Sequence, residues 1–267
     1  MRNGRAFWVG MVAVLVLAVW QVGATPLPVH ILPLGDSITQ GGRTDREEYT
    51  YRLPLQRLLT EAGVPFVFIG SMTTGLQPEA TWPAVAPGVP FDRHHEGHYG
   101  WKTAAVRDQL ATWLQLYARP DIVLIHLGTN DQEAANSAAN AVEAKALLTQ
   151  AIVAPLVDII GILRTRNPKV LILVGHLNFD SDTARQIRLL VESMASRLST
   201  QASPIVTVPH YLGFIAAPGS GSDTFDWADA FVAQLLRGAA NQGNYPSIIP
   251  PLCITLSYPS APVAINQ

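Results

Sequence analysis

Three short runs carry the residues able to do chemistry. GDSITQGG (35–42) offers a serine hydroxyl, Ser37, among small neighbours. GTND (128–131) offers a carboxamide at Asn130 and a carboxylate at Asp131. Between them, HEGHYGW (95–101) brings His95, His98 and Gly100 together, with His94 just ahead. A hydroxyl near uncharged N–H donors suits acyl transfer. The tetrahedral intermediate puts negative charge on a former carbonyl oxygen, and donors aimed at that oxygen must already be in place. Asn130 brings NH₂ donors with no charge to repel an oxyanion. The close histidines invite a metal reading, but no carboxylate cluster completes a ligand set, so they are read as shaping a loop; no metal or cofactor is expected. Taken singly, each run is no more than a polar turn.

These runs are useful only if the elements around them bring them to one place. VHILPL (29–34), FVFIG (66–70), DIVLIHLG (121–128), KVLILVG (169–175) and SPIVTV (203–208) are short apolar runs with the pattern of buried strands. Helical spacing covers 51–63, with Gly63 as a stop, then 101–117, a long region from Ala138 to Arg166 that Pro155 kinks or divides, 181–201, and a closing helix over 228–242. The stretch 71–100 is irregular and rich in Pro, Gly and Thr. Strands that are apolar on both faces, alternating with helices, predict an α/β fold: a doubly wound, parallel, five-stranded sheet in a three-layer sandwich of flavodoxin-like type. Ligands of such sheets bind beyond the carboxyl ends of the strands, where the strand order reverses. GDSITQGG and GTND both follow strands directly.

The bulk composition narrows the possible roles. The chain has 267 residues, with 18 basic and 20 acidic side chains and a net charge of −2. That is one large domain without the basic footprint of a nucleic-acid binder. Residues 1–24 are expected to be a signal peptide, with Arg2 and Arg5 ahead of an apolar run from Ala6 to Trp20, a small residue at Ala24 and a tolerable one two before it at Val22. The competing reading is an N-terminal anchor, but the run is short of the ~20 residues that span a bilayer. No second such run is evident in the sequence. The expectation is therefore a secreted, extracellular, soluble monomer with its folded domain over 25–242 and a Pro/Ser-rich tail over 243–267. The single cysteine, Cys253, leaves no internal disulfide.

In this order and at these strand ends, GDSIT, HEGHYGW and GTND resemble the SGNH (GDSL-type) hydrolase superfamily. The longer form LGDSITQGG…YRLPLQRLL…HEGHYGW…PDIVLIHLGTND is similar to its carbohydrate acetyl-esterase branch, which contains acetylxylan esterases. The resemblance runs from about residue 29 to 226. It implies Ser37 as nucleophile and an oxyanion hole made of the backbone N–H groups of Ser37 and Gly100 and the side-chain amide of Asn130. Asp36 and Asp131 are read as holding their loops. The surroundings of Ser37 are not G-x-S-x-G, so the nucleophile elbow of α/β-hydrolases is not what the sequence shows.

One part of the pattern is missing. The superfamily carries a D-x-x-H element after its fifth strand, in which the aspartate orients the histidine that takes the serine proton. IVTVPHYLGF…SDTFD (205–226) places Asp226 as the orienting aspartate, but Asp229 stands where histidine is expected and no histidine follows His210. A carboxylate with an ordinary pKa of about 3.9 is a poor general base at neutral pH. ADAFVAQLLRGAA already resembles the closing helix, so the whole base-bearing turn looks lost between Trp227 and Ala228. His210, His176 and His95 are the possible substitutes, each more simply read as packing. Trp82, Tyr99 and Trp101 are candidates to stack on sugar rings. The resemblance thus implies a secreted serine esterase acting on acetylated polysaccharide or oligosaccharide, its activity in question without the histidine. The alternatives are an inert carbohydrate-binding protein of the same fold, and a lipid or thioester hydrolase.

Overall fold

The computed structural model describes residues 27–43 and 50–211. The expected signal peptide, Asp226, the closing helix over 228–242 and the tail lie outside the described residues. Five parallel strands make the sheet: β1 (Val29–Gly35), β2 (Phe66–Phe68), β4 (Ile122–His126), β5 (Leu171–Gly175) and β6 (Ile205–Val208), in the order β2-β1-β4-β5-β6. The stretch expected to be irregular supplies a sixth, β3 (Glu96–Gly97), two residues long and parallel to β1. β2 pairs with Val29 to Ile31, and β3 takes up the same edge at Leu34 and Gly35. The break between them falls at Leu32 and Pro33. There Pro33 has no N–H to donate, so a proline is tolerated in a central strand.

The helices are α1 (Ser37–Gln40), α2 (Arg52–Glu61), α3 (Thr103–Trp113), α4 (Ala141–Leu148), α5 (Ala154–Arg166) and α6 (Asp182–Leu198). The strands send alternate residues to two apolar layers. Leu32, Val123, Ile125, Ile172 and Val174 pack with Val106, Leu110, Ile159, Leu163 and Ile187 on one face. On the other, Ile31, Leu124, Leu171 and Leu173 pack with Leu55, Leu59 and Phe91. This is why the strands read as continuous apolar runs rather than alternating ones.

Two boundaries differ from the sequence reading. The helix expected to reach Tyr117 ends at Trp113, although Leu114 and Tyr117 still pack on the core, so the apolar spacing outlasts the helix. Pro155 does not divide its helix. A π turn, Thr149–Val153, precedes it and joins α4 to α5, with the Ala154 N–H reaching back to the Thr149 carbonyl. The joined helix Ala141–Arg166 is long and apolar enough to cross a bilayer, unlike the expectation of no second such run. Here its Leu148, Ile152, Leu156, Ile159 and Leu163 lie in the protein core.

Strand order reverses between β1 and β4, since β1 continues to β2 on one side and β4 leads to β5 on the other. Ser37 and Asn130 both follow this switch point. β3 lies hard against the turn after β1: a Cβ on Gly97 would stand 2.5 Å from the Gln40 nitrogen and 2.8 Å from the Thr39 carbonyl carbon. Gly97→Ala is therefore expected to force backbone apart and cost about 1–3 kcal/mol, read as a lower melting temperature. An unchanged melting temperature would show that this contact is not tight.

Candidate active site

β1 runs into the site at Gly35, whose Cβ, if present, would lie 2.2 Å from the Thr39 hydroxyl and 2.6 Å from the His126 carbonyl oxygen. Only glycine fits there. The Asp36 N–H then donates to the His126 carbonyl at 3.3 Å, fastening the turn to β4. The Asp36 side chain caps α1 by accepting the Ile38 N–H at 3.0 Å. Ser37 is the first residue of this one-turn helix and is half-buried, while Asp36, Thr39 and Gln40 around it are buried. The Gly41 N–H closes the turn on the Ser37 carbonyl at 2.7 Å.

The second run folds onto this turn. The His98 N–H donates to the Gly35 carbonyl at 3.0 Å, and the Tyr99 N–H to Gln40 Oε1 at 2.7 Å. Gly100 follows, exposed, with φ +77°. Nothing stands within 4 Å of where its Cβ would be, so the left-handed backbone is what calls for glycine. The third run enters through Gly128 at φ +112° and continues as a 3-10 segment, Thr129–Ser137. Asn130 Nδ2 donates to the Trp101 carbonyl at 2.9 Å, one residue beyond Gly100, and its second hydrogen is left for another acceptor. Asp131 accepts the Thr103 N–H at 3.1 Å and the Thr103 hydroxyl at 2.8 Å, holding the start of α3. Short contacts between their neighbours thus tie together the segments that carry Ser37, Gly100 and Asn130. Asp226 lies outside the described residues.

All seven histidines of the chain are described, and their surroundings differ from a substitute base. His30 sits at the far end of β1 beside Asp121, 3.3 Å away. His94 pairs with Asp92 at 2.7 Å on the surface. His95 is fully buried; its Nδ1 accepts the Gly97 N–H at 2.9 Å and its Nε2 donates to the Thr74 carbonyl at 3.0 Å. Burial, with Arg52 nearby, drives its pKa down to about 2. The His98 ring stacks on Trp113 at 4.3 Å and lies 4.6 Å from Trp101. His126, missed in the sequence, ends β4 and stacks on His210 at 5.3 Å. His126 and His210 are both fully buried, and His176 nearly so. Burial lowers His126 and His176 to about 4 and His210 well below the ordinary value. Buried and lowered in this way, these rings are weak proton acceptors, against the idea that His95, His176 or His210 stands in as base.

The candidate sugar-stacking rings are also partly committed. Trp101 lies 5.7 Å from Trp113 and packs on the core. Trp82 packs on Phe91 at 5.2 Å, with the Arg52 guanidinium 5.6 Å from its ring centroid. Tyr99 is part-exposed at the rim. His94, His95 and His98 point to separate partners, and no group of three side chains able to hold a metal occurs among the described residues.

Sequence reasoning also missed Gln40 and Arg52. The signal was present for Arg52: it shares the i, i+3, i+7 face of α2 with the buried Leu55 and Leu59.

Burial raises the Asp36 carboxyl to about 7, against the Ile38 N–H and the Thr129 hydroxyl, which favour the charged form. The folded chain then keeps this proton up to about pH 7, whereas the unfolded chain releases it near 3.8. In that window the native state binds more protons, so stability falls as pH rises and levels off above it. Each unit is worth about 1.4 kcal/mol, so the effect is on the order of a few kcal/mol. Asp36→Asn keeps the capping oxygen and removes the buried charge. It should melt close to the parent at pH 4 and clearly higher at pH 8, and a gap that does not change with pH would contradict this.

The comparisons with known proteins agree with this fold. The family model described as "GDSL-like Lipase/Acylhydrolase family" matches residues 34–248. No curated protein matches the chain. Among solved structures, a carbohydrate esterase family 3 protein from Talaromyces cellulolyticus is 25% identical, with a TM-score of 0.60, over 80% of this chain and 99% of its own. A Clostridium thermocellum family 3 carbohydrate esterase is 23% identical, with a TM-score of 0.57, over 81% of this chain and 100% of its own. A serine-to-alanine mutant of an acetyl esterase, solved with an acetate ion, is 24% identical, with a TM-score of 0.60, over 80% of this chain and 99% of its own.

Proposed function

The chain belongs to the GDSL-like lipase/acylhydrolase family, and from that premise we propose that it is a secreted serine esterase removing acetyl or other short acyl groups from carbohydrate. The observation that carries the reading is the meeting of the Ser37 turn, the Gly100 loop and Asn130 at the switch point between β1 and β4. The carbohydrate substrate is supported by the 25% identity to a carbohydrate esterase family 3 protein over nearly its whole length and by the HEGHYGW run.

In the proposed reaction, the Ser37 oxygen attacks the acyl carbonyl carbon. The bond to the sugar oxygen breaks as the tetrahedral intermediate collapses, and the sugar hydroxyl leaves with a proton. Water then releases the acid from the acylated serine. The intermediate's oxygen is held by the N–H groups of Ser37 and Gly100 and by the second Nδ2 hydrogen of Asn130. Each such donor is worth about 2.7–4 kcal/mol in a site closed to water. Tyr99 is assigned to the sugar ring, and Asp226 to what is left of the dyad.

The weak point of the cycle is the Ser37 proton. No histidine follows His210 in the sequence, and His95, His126, His176 and His210 are buried, which makes them weak proton acceptors. Loss of the imidazole from a serine triad costs about 10⁶ in turnover and leaves a residue of rate from the oxyanion hole and binding. Solution hydroxide must then ionise Ser37. With p-nitrophenyl acetate, turnover should exceed that of Ser37→Ala and climb steadily with pH, without the levelling near about 6.5 that a histidine base imposes. Asn130→Ala should remove on the order of 10²–10³ of the serine-dependent rate. A rate equal to that of Ser37→Ala at every pH would end the esterase reading.

The same missing histidine favours a second reading, an inert carbohydrate-binding protein that keeps the cleft. A null rate together with measurable binding of acetylated xylo-oligosaccharide is its outcome.

A further inference from the structure

The Arg52 guanidinium lies fully buried at the start of α2, behind the nucleophile turn. Its Nε donates to the Thr39 carbonyl at 2.8 Å, its Nη2 to the Gln40 carbonyl at 3.0 Å, and its Nη1 to the Arg93 carbonyl at 2.9 Å. Thr39 and Gln40 are the last two residues of the helix that Ser37 begins. Arg93 opens the segment that leads to Gly100. One planar fork therefore holds the end of the nucleophile helix and the start of the second loop together. The rings of Phe91 and Trp82 flank it, 5.3 and 5.6 Å from the guanidinium carbon.

The surroundings over-determine this position. Thr50 takes φ +56°, rare for a β-branched residue, and its hydroxyl accepts the Arg52 N–H at 3.2 Å. One turn along α2, Gln56 donates to the Pro90 carbonyl at 3.1 Å and accepts the Asp92 N–H at 2.8 Å, so the same helix holds the loop twice. Burial lowers the Arg52 pKa to about 10, with Tyr51 and Asp92 opposing, and the group remains charged at neutral pH. The hydrogen bonds of this buried cation run to carbonyl oxygens, each with fixed direction. Lysine, with a compact ammonium, cannot serve three carbonyls in one plane.

We propose that Arg52 is a positioning residue that fixes the Gly100 loop against the Ser37 turn, by holding the Thr39, Gln40 and Arg93 carbonyls at once. Gln40 is the second part of the device: its backbone carbonyl takes the Arg52 fork and its side chain takes the Tyr99 N–H. Loosening the fork thus moves the donor at Gly100 away from the oxygen it must meet. The proposal rests on the esterase reading for its catalytic consequence, but the coupling itself does not.

The test compares the parent, Arg52→Lys, Gln40→Met and the control Ile159→Ala, which thins the core on the other face of the sheet. Two quantities are read on each: amide hydrogen exchange by peptide, and kcat and KM on p-nitrophenyl acetate well below the melting temperature. Arg52→Lys should speed exchange in peptides covering 35–42 and 93–102 by about tenfold or more, with β4 and β5 unmoved. Its kcat should fall on the order of 10²-fold, as for a misplacement of about 1 Å, with KM little changed. Ile159→Ala should lower the melting temperature without that local signature or that loss of kcat. If Arg52→Lys does not fold, Arg52→Gln is read in the same way and decides, while Gln40→Met, with a smaller change confined to 93–102, judges the Gln40–Tyr99 link alone. Exchange that is unchanged or uniformly raised overturns the coupling, and selective exchange with kcat unmoved overturns the catalytic half. A parent no faster than Ser37→Ala sinks the esterase reading alone, and the exchange arm still judges Arg52.

Discussion

A helix of one turn cannot satisfy its own ends. α1 has four residues, Ser37 to Gln40, so its backbone donors and acceptors must be met from outside. The surrounding structure follows from this need. Asp36 takes the Ile38 N–H at the front, and Gly41 and Arg52 take the Ser37, Thr39 and Gln40 carbonyls at the back. Gly35 and Gly97 let β4 and β3 press close enough to enclose the turn. A serine on so short a helix owes its position to its neighbours, and those neighbours also carry Gly100 and Asn130.

That dependence explains what could be read in the sequence. The five long strands were legible because a sheet buried on both faces leaves continuous apolar runs, as in LILVG at Leu171–Gly175. β3 was not, because its two residues have no pattern of their own and are placed by Met72, Gly35 and Gln40 around them. Helix ends ran long at Tyr117 because the side chains keep facing the core after the hydrogen bonding has changed. At Pro155 the sequence pointed to a disruption, and the chain met it with a wider turn rather than a break.

In the site, Ser37, Gly100 and Asn130 were legible as types at strand ends, while the means of holding them were not. Arg52 reaches Arg93 across 41 residues and Gln40 reaches Tyr99 across 59, contacts that no local spacing encodes. His126 was hidden as the last residue of an otherwise apolar strand. The histidines show how burial decides chemistry: four of the seven are inside, where burial weakens them as proton acceptors, so residue type alone misleads about which is a base. Asp226 falls beyond the described residues, and its place in the account rests on its spacing in the sequence.

The most direct measurement is a crystal structure of the chain after reaction with an activated methylphosphonate ester, whose phosphoryl oxygen stands in for the oxyanion. The account predicts one adduct, on the Ser37 oxygen, with the phosphoryl oxygen about 2.7–3.1 Å from the Ser37 and Gly100 nitrogens and from Asn130 Nδ2. An adduct on Ser37 whose phosphoryl oxygen points to solvent, away from Gly100 and Asn130, would contradict it.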